Sequence, residues 1–492
     1  MAVLIIDVGS SSVRALMMDE QTLTVFPHAA SRRDYHFTYE PEGAAEIHAD
    51  VLRGKIEACI DDLLASEAWS RHGGQVSAVG ITTLVGNLLG VDAASQPVTP
   101  LYTYAETRAA SYVAALRSQI DVESAYHRTG CPHHVAYHPA KLAWLRHEII
   151  PDQYSELQWI DFATYCYRIW FEREVPCSYS TASWSGLLDR HALTWDREWL
   201  QVLGLRADQL PALADFSAVQ QGLGADYCKR WPQLADVPFY LSVGDGAAAN
   251  IGSGGVDHRR VVLTVGTTSA LRRISREPVL KLPRGLWDYR VDAPTHLVGG
   301  ATTEGGSIFA WALRQWNLSE DRDALEAALR NRPADGHGLT VLPMLAGERS
   351  PGYAPDAVGT IHGLRLSTSP LDVVQALMES VAIRLSAVAD LLIDEREDLP
   401  VYAGGGAMQS SDAWAQMMAD AFNRELRLVE EPEVTARGLA ALITGGLDRA
   451  AQVQVRKYFH PRPEAVELLR AARERQITLY RRFYPVPDPM TR

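Results

Sequence analysis

Asp245 stands between Gly244 and Gly246, directly behind the apolar run at 239–243. Glycine on both sides leaves a carboxylate room to meet a substrate hydroxyl. A general base for phosphoryl transfer needs little beyond correct placement, because the transition state is loose and catalysis is mostly positioning and electrostatics. The same pattern also suits an ordinary turn aspartate. A second carboxylate, Asp7, closes an apolar run at 3–7 and is followed by Gly9, Ser10, Ser11 and Ser12. Glycine at a hairpin tip exposes backbone N–H groups that a Cβ would shield, and hydroxyls add donors. Such a turn can cradle phosphate oxygens without a lysine. Asp7 could hold Mg2+ through water against those phosphates, or cap the turn. Arg14, on the far side of the hairpin, could reach phosphate or pair with an acid.

The hairpin pattern occurs twice. Val8-Gly9-Ser10-Ser11-Ser12 is echoed by Val265-Gly266-Thr267-Thr268-Ser269, each behind an apolar strand and each opening one half of the chain. A duplicated hairpin at half-chain spacing implies two similar domains facing one ligand. A third glycine element, Gly404-Gly405-Gly406-Ala407, follows a predicted strand and precedes a predicted helix. Its bare backbone could lie against a planar ring or a phosphate, with a helix N-terminus adding partial positive charge. Neither a Walker A motif nor a Gly-x-Gly-x-x-Gly dinucleotide fingerprint is present, so any nucleotide is bound by another scheme.

The elements that must position these residues alternate between strand and helix. Apolar residues Ile47, Val51, Ile56, Ile60 and Leu63 predict an amphipathic helix over 45–64. Strands are expected at 76–81, 88–91 and 239–243, and helices at 141–149 and 199–205. In the second half, strands are expected at 261–265, 270–274 and 401–403. Helices are expected at 371–393, 412–422, 435–443 and 464–483. No low-complexity segment or long linker interrupts the chain.

At 492 residues the chain is too long for one ordinary core, and two domains of about 250 residues are the natural expectation. A net charge of −13 disfavours nucleic acid or an anionic membrane as the main partner. No apolar run approaches the roughly 20 residues that span a bilayer, and the N-terminal run lacks the basic flank of a signal peptide. A cytoplasmic protein is expected. Cys59, Cys131, Cys166, Cys177 and Cys228 are scattered, with no Cys-x-x-Cys pair, so free thiols are expected in place of disulfides or a zinc site.

Further segments join these in a fixed order: Pro97-Val-Thr-Pro-Leu-Tyr-Thr-Tyr-Ala-Glu-Thr-Arg108, Thr129-Gly-Cys-Pro132 and Leu345-Ala-Gly-Glu-Arg-Ser-Pro351. Together with the hairpins, Gly244-Asp-Gly246 and Gly404-Gly-Gly-Ala407, they resemble the FGGY carbohydrate kinases, and within them the gluconokinase-like branch. The resemblance runs from residue 3 to about 445. It implies an α/β chain of two ribonuclease-H-like domains, of the actin, hexokinase and Hsp70 superfamily, with the active site in the cleft between them. Residues 1–248 would carry the sugar site and the first hairpin, and 249–492 the second hairpin and the adenosine site. ATP and Mg2+ are the implied cofactors.

Carried over residue by residue, the resemblance makes Asp245 the catalytic base and a substrate contact, and Asp7 the magnesium-side carboxylate. Gly9, Ser10, Ser11, Ser12 and Arg14 would line one phosphate loop. Gly266, Thr267 and Thr268 would line the other, with Gly306 nearby. Gly405, Gly406 and Ser410 fall at adenosine, and Asn87, Glu106 and Arg108 at the sugar. Two departures lie in the sugar site: Tyr104-Ala-Glu106-Thr-Arg108 stands where Trp-x-Asp-x-Arg is common, and Val85-Gly86 where Met-His is common. The expected partners are a sugar or sugar acid and ATP, with a homodimer left open. Gluconate or a related aldonate is the expected substrate. Alternatives are another sugar or polyol (xylulose, ribulose, a tetritol), a non-catalytic ATP-binding sensor, and a chaperone-like or filament-forming ATPase of the same fold.

Overall fold

The computed structural model describes residues 1–316, 318, 321–354 and 356–484. The apolar N-terminal run becomes β1 (Ala2–Val8), buried along its whole length. A strand apolar on both faces belongs at the centre of a covered sheet. It pairs antiparallel with β2 (Ser12–Asp19), which pairs antiparallel with β3 (Val25–Asp34). After α1 (Ala49–Leu64), β4 (Ala78–Thr83) lies parallel to β1 on its other side. A long insertion carrying α2 (His138–Trp144), α3 (Phe162–Phe171) and α4 (Tyr179–Ser183) follows. The chain then returns as β5 (Val243–Gly244), parallel to β4, and runs straight into α5 (Asp245–Gly252). The sheet order is β5-β4-β1-β2-β3.

The C-terminal half begins with β6 (Val261–Val265), β7 (Ser269–Ser275), β8 (Trp287–Arg290) and β9 (His296–Thr302). Next come α6 (Gly306–Gln315), α7 (Arg322–Arg330), α8 (Pro370–Leu392), β10 (Val401–Gly404), α9 (Gly406–Ser410) and α10 (Asp412–Phe422). The half closes with β11 (Leu426–Val429), α11 (Val434–Ile443), β12 (Val455–Phe459) and α12 (Pro463–Phe483). Its seven-stranded sheet has the order β8-β9-β7-β6-β10-β11-β12. The inner run β11-β10-β6-β7-β9 repeats the N-terminal sheet strand for strand: two parallel pairings on one side of the central strand, two antiparallel on the other. The echo seen in two short hairpins therefore extends to a whole duplicated sheet.

Helices α5 and α11 follow the equivalent strands β5 and β11, and they pack directly on each other. A Cβ added to Gly252 would lie 1.7 Å from the Val434 carbonyl oxygen, and one on Gly438 would lie 1.8 Å from that of Ala248. Backbones this close exclude any side chain at the crossing.

Three expected elements are revised. The helix expected over 45–64 starts at Ala49, with a short strand, Ala45–Ile47, before it. Its core face is Leu52, Ile56, Cys59, Ile60 and Leu63, whereas Val51 is 53% exposed. Leu52, Ile56 and Leu63 keep helical spacing, and Val51 sits one residue, about 100°, off that stripe. The strand expected over 239–243 contracts to Val243–Gly244, with Phe239 making isolated bridges to Val79 and Gln220. The helix expected over 141–149 is α2 followed by a π-turn at Leu145–Ile149. All five cysteines are free thiols. Among the described residues, no helix is long and apolar enough to cross a membrane.

Candidate active site

The two glycine hairpins close in the same way. The Gly9 N–H donates to the Ser12 carbonyl at 3.0 Å, and the Gly266 N–H to that of Thr268 at 2.9 Å. They differ by one residue in length, since the first closes at Val8–Val13 and the second at Val265–Ser269. Ser10, Ser11 and Thr267 are exposed at the tips. The second hairpin rests on the start of α6, whose Gly306 and Ser307 N–H groups donate to the Gly266 and Thr267 carbonyls at 2.7 and 3.3 Å. That contact fixes the loop against a rigid element.

Asp7 ends β1 almost fully buried. It accepts from the Thr82 hydroxyl at 2.7 Å and from Arg14, whose guanidinium also bonds Glu433 at the start of α11. Arg14 thus joins carboxylates from both halves. Asp245 opens α5 and accepts the Gly246 N–H at 2.7 Å. Burial lifts its carboxyl to about 6; the Gly246 N–H and the charge of Arg272 pull it down, and the charge of Asp7 pushes it up. The two carboxylates are therefore neighbours, beside the Gly9 hairpin that Tyr35 anchors by donating to the Gly9 carbonyl.

Beside the second hairpin lies a cavity of about 1160 Å³ in the C-terminal half. Gly266, Thr267, Gly306, Gly406 and Ser410, expected from sequence to meet nucleotide, all line it. Its remaining wall combines apolar Phe309, Leu313, Met378 and Trp414 with polar Arg314, Arg322 and Glu326. One flat apolar pocket and a glycine-edged mouth suit a purine ring with phosphates trailing toward the hairpins. Gly405 does not line the cavity. Its φ of +93° and an added Cβ 2.5 Å from the Val265 carbonyl oxygen make it the residue that lets the glycine turn pass β6. Thr268 closes the hairpin through its carbonyl.

The remaining wall of the cleft, toward the insertion, is aromatic and basic. The Trp184 ring stacks on Tyr289 at 3.7 Å and lies against Gly244 and Gly246. Tyr137 and Tyr289 share a hydrogen bond of 2.6 Å. Arg272 approaches Gly246, where an added Cβ would lie 3.3 Å from its Nη2. Arg349 lies close enough for its charge to act on Arg272, Tyr104, His134 and Tyr289. Burial and the neighbouring Arg349 push the His134 imidazole down to about 3, so it is neutral.

Comparison with known proteins decides the family. Residues 2–252 match the N-terminal domain of the FGGY family of carbohydrate kinases, and residues 261–444 match its C-terminal domain. The chain belongs to that family. It is 27% identical to a gluconokinase of Bacillus subtilis (strain 168) over 390 residues, covering 76% of this chain and 75% of the relative. Among solved structures, a xylulose kinase and a gluconate kinase from Lactobacillus acidophilus each superpose with a TM-score of 0.88 at 23% identity. They cover 99% and 98% of this chain, and the same shares of their own. The protein is an ATP-dependent FGGY sugar kinase with the two-domain fold of this family.

In this FGGY kinase the residues expected at the sugar are held as follows. The Asn87 side chain donates to the Leu84 carbonyl at 2.5 Å and accepts the Phe162 N–H at 2.8 Å, pinning α3 to the loop after β4. Glu106 is fully buried, and its acceptor positions are filled by the Arg108 N–H, Nε and Nη2 and by the Ala45 N–H at 2.7–3.2 Å. Burial works against its ionised form, but these donors more than offset that and hold the carboxyl below its usual range. Arg108 also bonds Glu46, and its guanidinium lies 5.0 Å from the Trp144 ring centroid. A saturated carboxylate has no lone pair left for a hydroxyl, so Glu106 serves to fix Arg108, whose bonds to Glu106 and Glu46 run through its N–H, Nε and Nη2.

Sequence reasoning passed over Tyr35, Thr82, Trp184, Arg272 and Arg349. Arg349 lay within the Leu345–Pro351 segment used for the family resemblance, without a role. Arg272 was legible by alternation: it shares a face of β7 with Ile274, which packs with Trp184 and Ala247, whereas Arg273 points the other way to Glu397.

Proposed function

We propose that this kinase transfers the ATP γ-phosphoryl group to a hydroxyl of gluconate or a closely related aldonate, with Asp245 as the base. The observation that carries the mechanism is the convergence of Asp245 and Asp7 between two glycine hairpins, next to a nucleotide-sized cavity. An Asp245 carboxyl near 6 is ionised at neutral pH yet basic enough to take a proton from an attacking hydroxyl. The hairpins offer backbone donors to phosphate oxygens from two sides.

Asp7 fits the magnesium side. Its carboxylate gives the hard oxygen donor that the ion takes, and its negative charge is felt at Asp245, where a cation would relieve it. Magnesium bound there would neutralise charge on the β- and γ-phosphates. The aldonate reading is supported by the 27% identity to a gluconokinase and by the basic wall of the acceptor side. A coupled ADP-release screen over aldonates, ketopentoses and polyols tests it: gluconate should be preferred over glucose and xylulose. Strong turnover of a neutral ketopentose with none of any aldonate would reject the substrate and leave the kinase intact.

A further inference from the structure

We infer that Arg272 and Arg349 form a carboxylate-binding pocket that holds the acid end of the acceptor while Asp245 faces its reacting hydroxyl; this rests on the aldonate reading above. Interior arginines of this protein are usually matched. Arg190 pairs with Asp288, Arg108 with Glu46 and Glu106, and Arg14 with Asp7 and Glu433. Arg272 and Arg349 differ. Among the described residues neither has a carboxylate within 4 Å; Arg272 makes one long bond, 3.3 Å to the Thr264 hydroxyl, and no bond from the Arg349 guanidinium is formed. The Nε atom of each is buried without a partner.

Two guanidinium groups that act on one another with no carboxylate in contact are costly in a site surrounded by protein. Other groups nearby do not supply the balance. His134 is neutral, and the Lys141 ammonium is turned away to the Ala136 carbonyl at 2.8 Å. Glu348, the sequence neighbour of Arg349, faces the opposite way to Arg384 and Tyr480. Asp245 offsets part of the charge of Arg272, but its carboxylate is committed to the hydroxyl end. A neutral polyol would leave both cations unmatched. A carboxylate accepts from two guanidinium forks at once, and an aldonate carries that group at one end of a chain of hydroxyls. The cleft is bipolar in the same sense as the acceptor.

The same two arginines could instead meet the phosphoryl group in flight, and kinetics with both substrates separate the cases. Arg272→Gln and Arg349→Gln should each raise the KM for gluconate about tenfold or more and leave the KM for ATP within about threefold, because each loses a charged hydrogen bond to the acceptor alone. The preference for gluconate over the neutral glucitol should shrink in step, and Arg349→Lys should recover part of it. Thermal melting checks that each variant is folded; if Arg272→Gln is not, Arg349→Gln gives the same readout. A raised ATP KM with an unchanged gluconate KM would assign the arginines to phosphate and overturn the pocket. Unchanged gluconate KM in folded variants of an enzyme that does turn over gluconate would overturn the pocket and spare the substrate. An enzyme that takes no aldonate at all would overturn both.

Discussion

Asp245 and Asp7 share a cleft but not an environment. Asp7 is held between the Thr82 hydroxyl and the Arg14 guanidinium, whereas Asp245 has one backbone N–H and a buried setting that lifts its carboxyl to about 6. The first arrangement suits a fixed anion and the second a proton acceptor. Asp245→Asn keeps shape and hydrogen-bond reach but loses the basic lone pair, so kcat should fall on the order of 10² to 10⁴-fold with a much smaller change in sugar KM. An aspartate that only shaped the turn would tolerate asparagine, and a near-normal kcat would remove it from the mechanism. The pH dependence follows from the same group. A base must be ionised, so kcat/KM should drop as pH falls through about 6 and approach a tenfold loss per unit below it. Residual activity of Asp245→Asn should lack that acidic limb, and a limb that persisted would belong to another group.

At the level of elements, the glycines separate into two kinds. A Cβ on Gly266 would meet nothing within 4 Å, so packing does not require glycine there, and the residue lines the cavity proposed for nucleotide. Gly266→Val should therefore fold normally and raise the KM for ATP far more than that for sugar; an unchanged ATP KM would take Gly266 out of the phosphate site. Gly438 is the opposite case. Its Cβ would overlap the Ala248 carbonyl oxygen at the crossing of α5 and α11, and neither helix can yield without moving its sheet. Overpacking of this kind costs about 1–3 kcal/mol, and a rigid backbone contact belongs at the upper end. Gly438→Ala should lower the melting temperature measurably with wild-type protein as the reference. No shift would mean that the helices slide apart freely.

Across the whole molecule, the ties that join the halves include Arg14 to Glu433, α5 against α11, the Tyr137–Tyr289 hydrogen bond and the buried Arg190–Asp288 pair, to which His296 adds a bond of 2.9 Å. Closure around ligands is the expected motion, since a transferable phosphoryl group must be kept from water. Small-angle scattering should show a smaller radius of gyration with nucleotide and sugar acid together than with neither. An unchanged radius at saturation would mean the cleft is already closed.

What the sequence determined by itself was whatever depends on a residue and its immediate neighbours. Apolar runs ending in Gly9 and Gly266, the Gly404–Gly406 turn and Asp245 between two glycines announce hairpins and exposed backbone, because turn conformation and strand burial are local properties. Their duplication announced two like halves. What only the tertiary structure decided was where polar side chains point. Asn87 and Glu106 sat at the right positions in the chain yet spend their hydrogen bonds on Phe162, Ala45 and Arg108, while Arg272 and Arg349, far apart in sequence, were brought to one wall. A polar group takes the partner that folding places within about 3 Å. That partner is chosen by the packing of distant strands and helices, which no local pattern records.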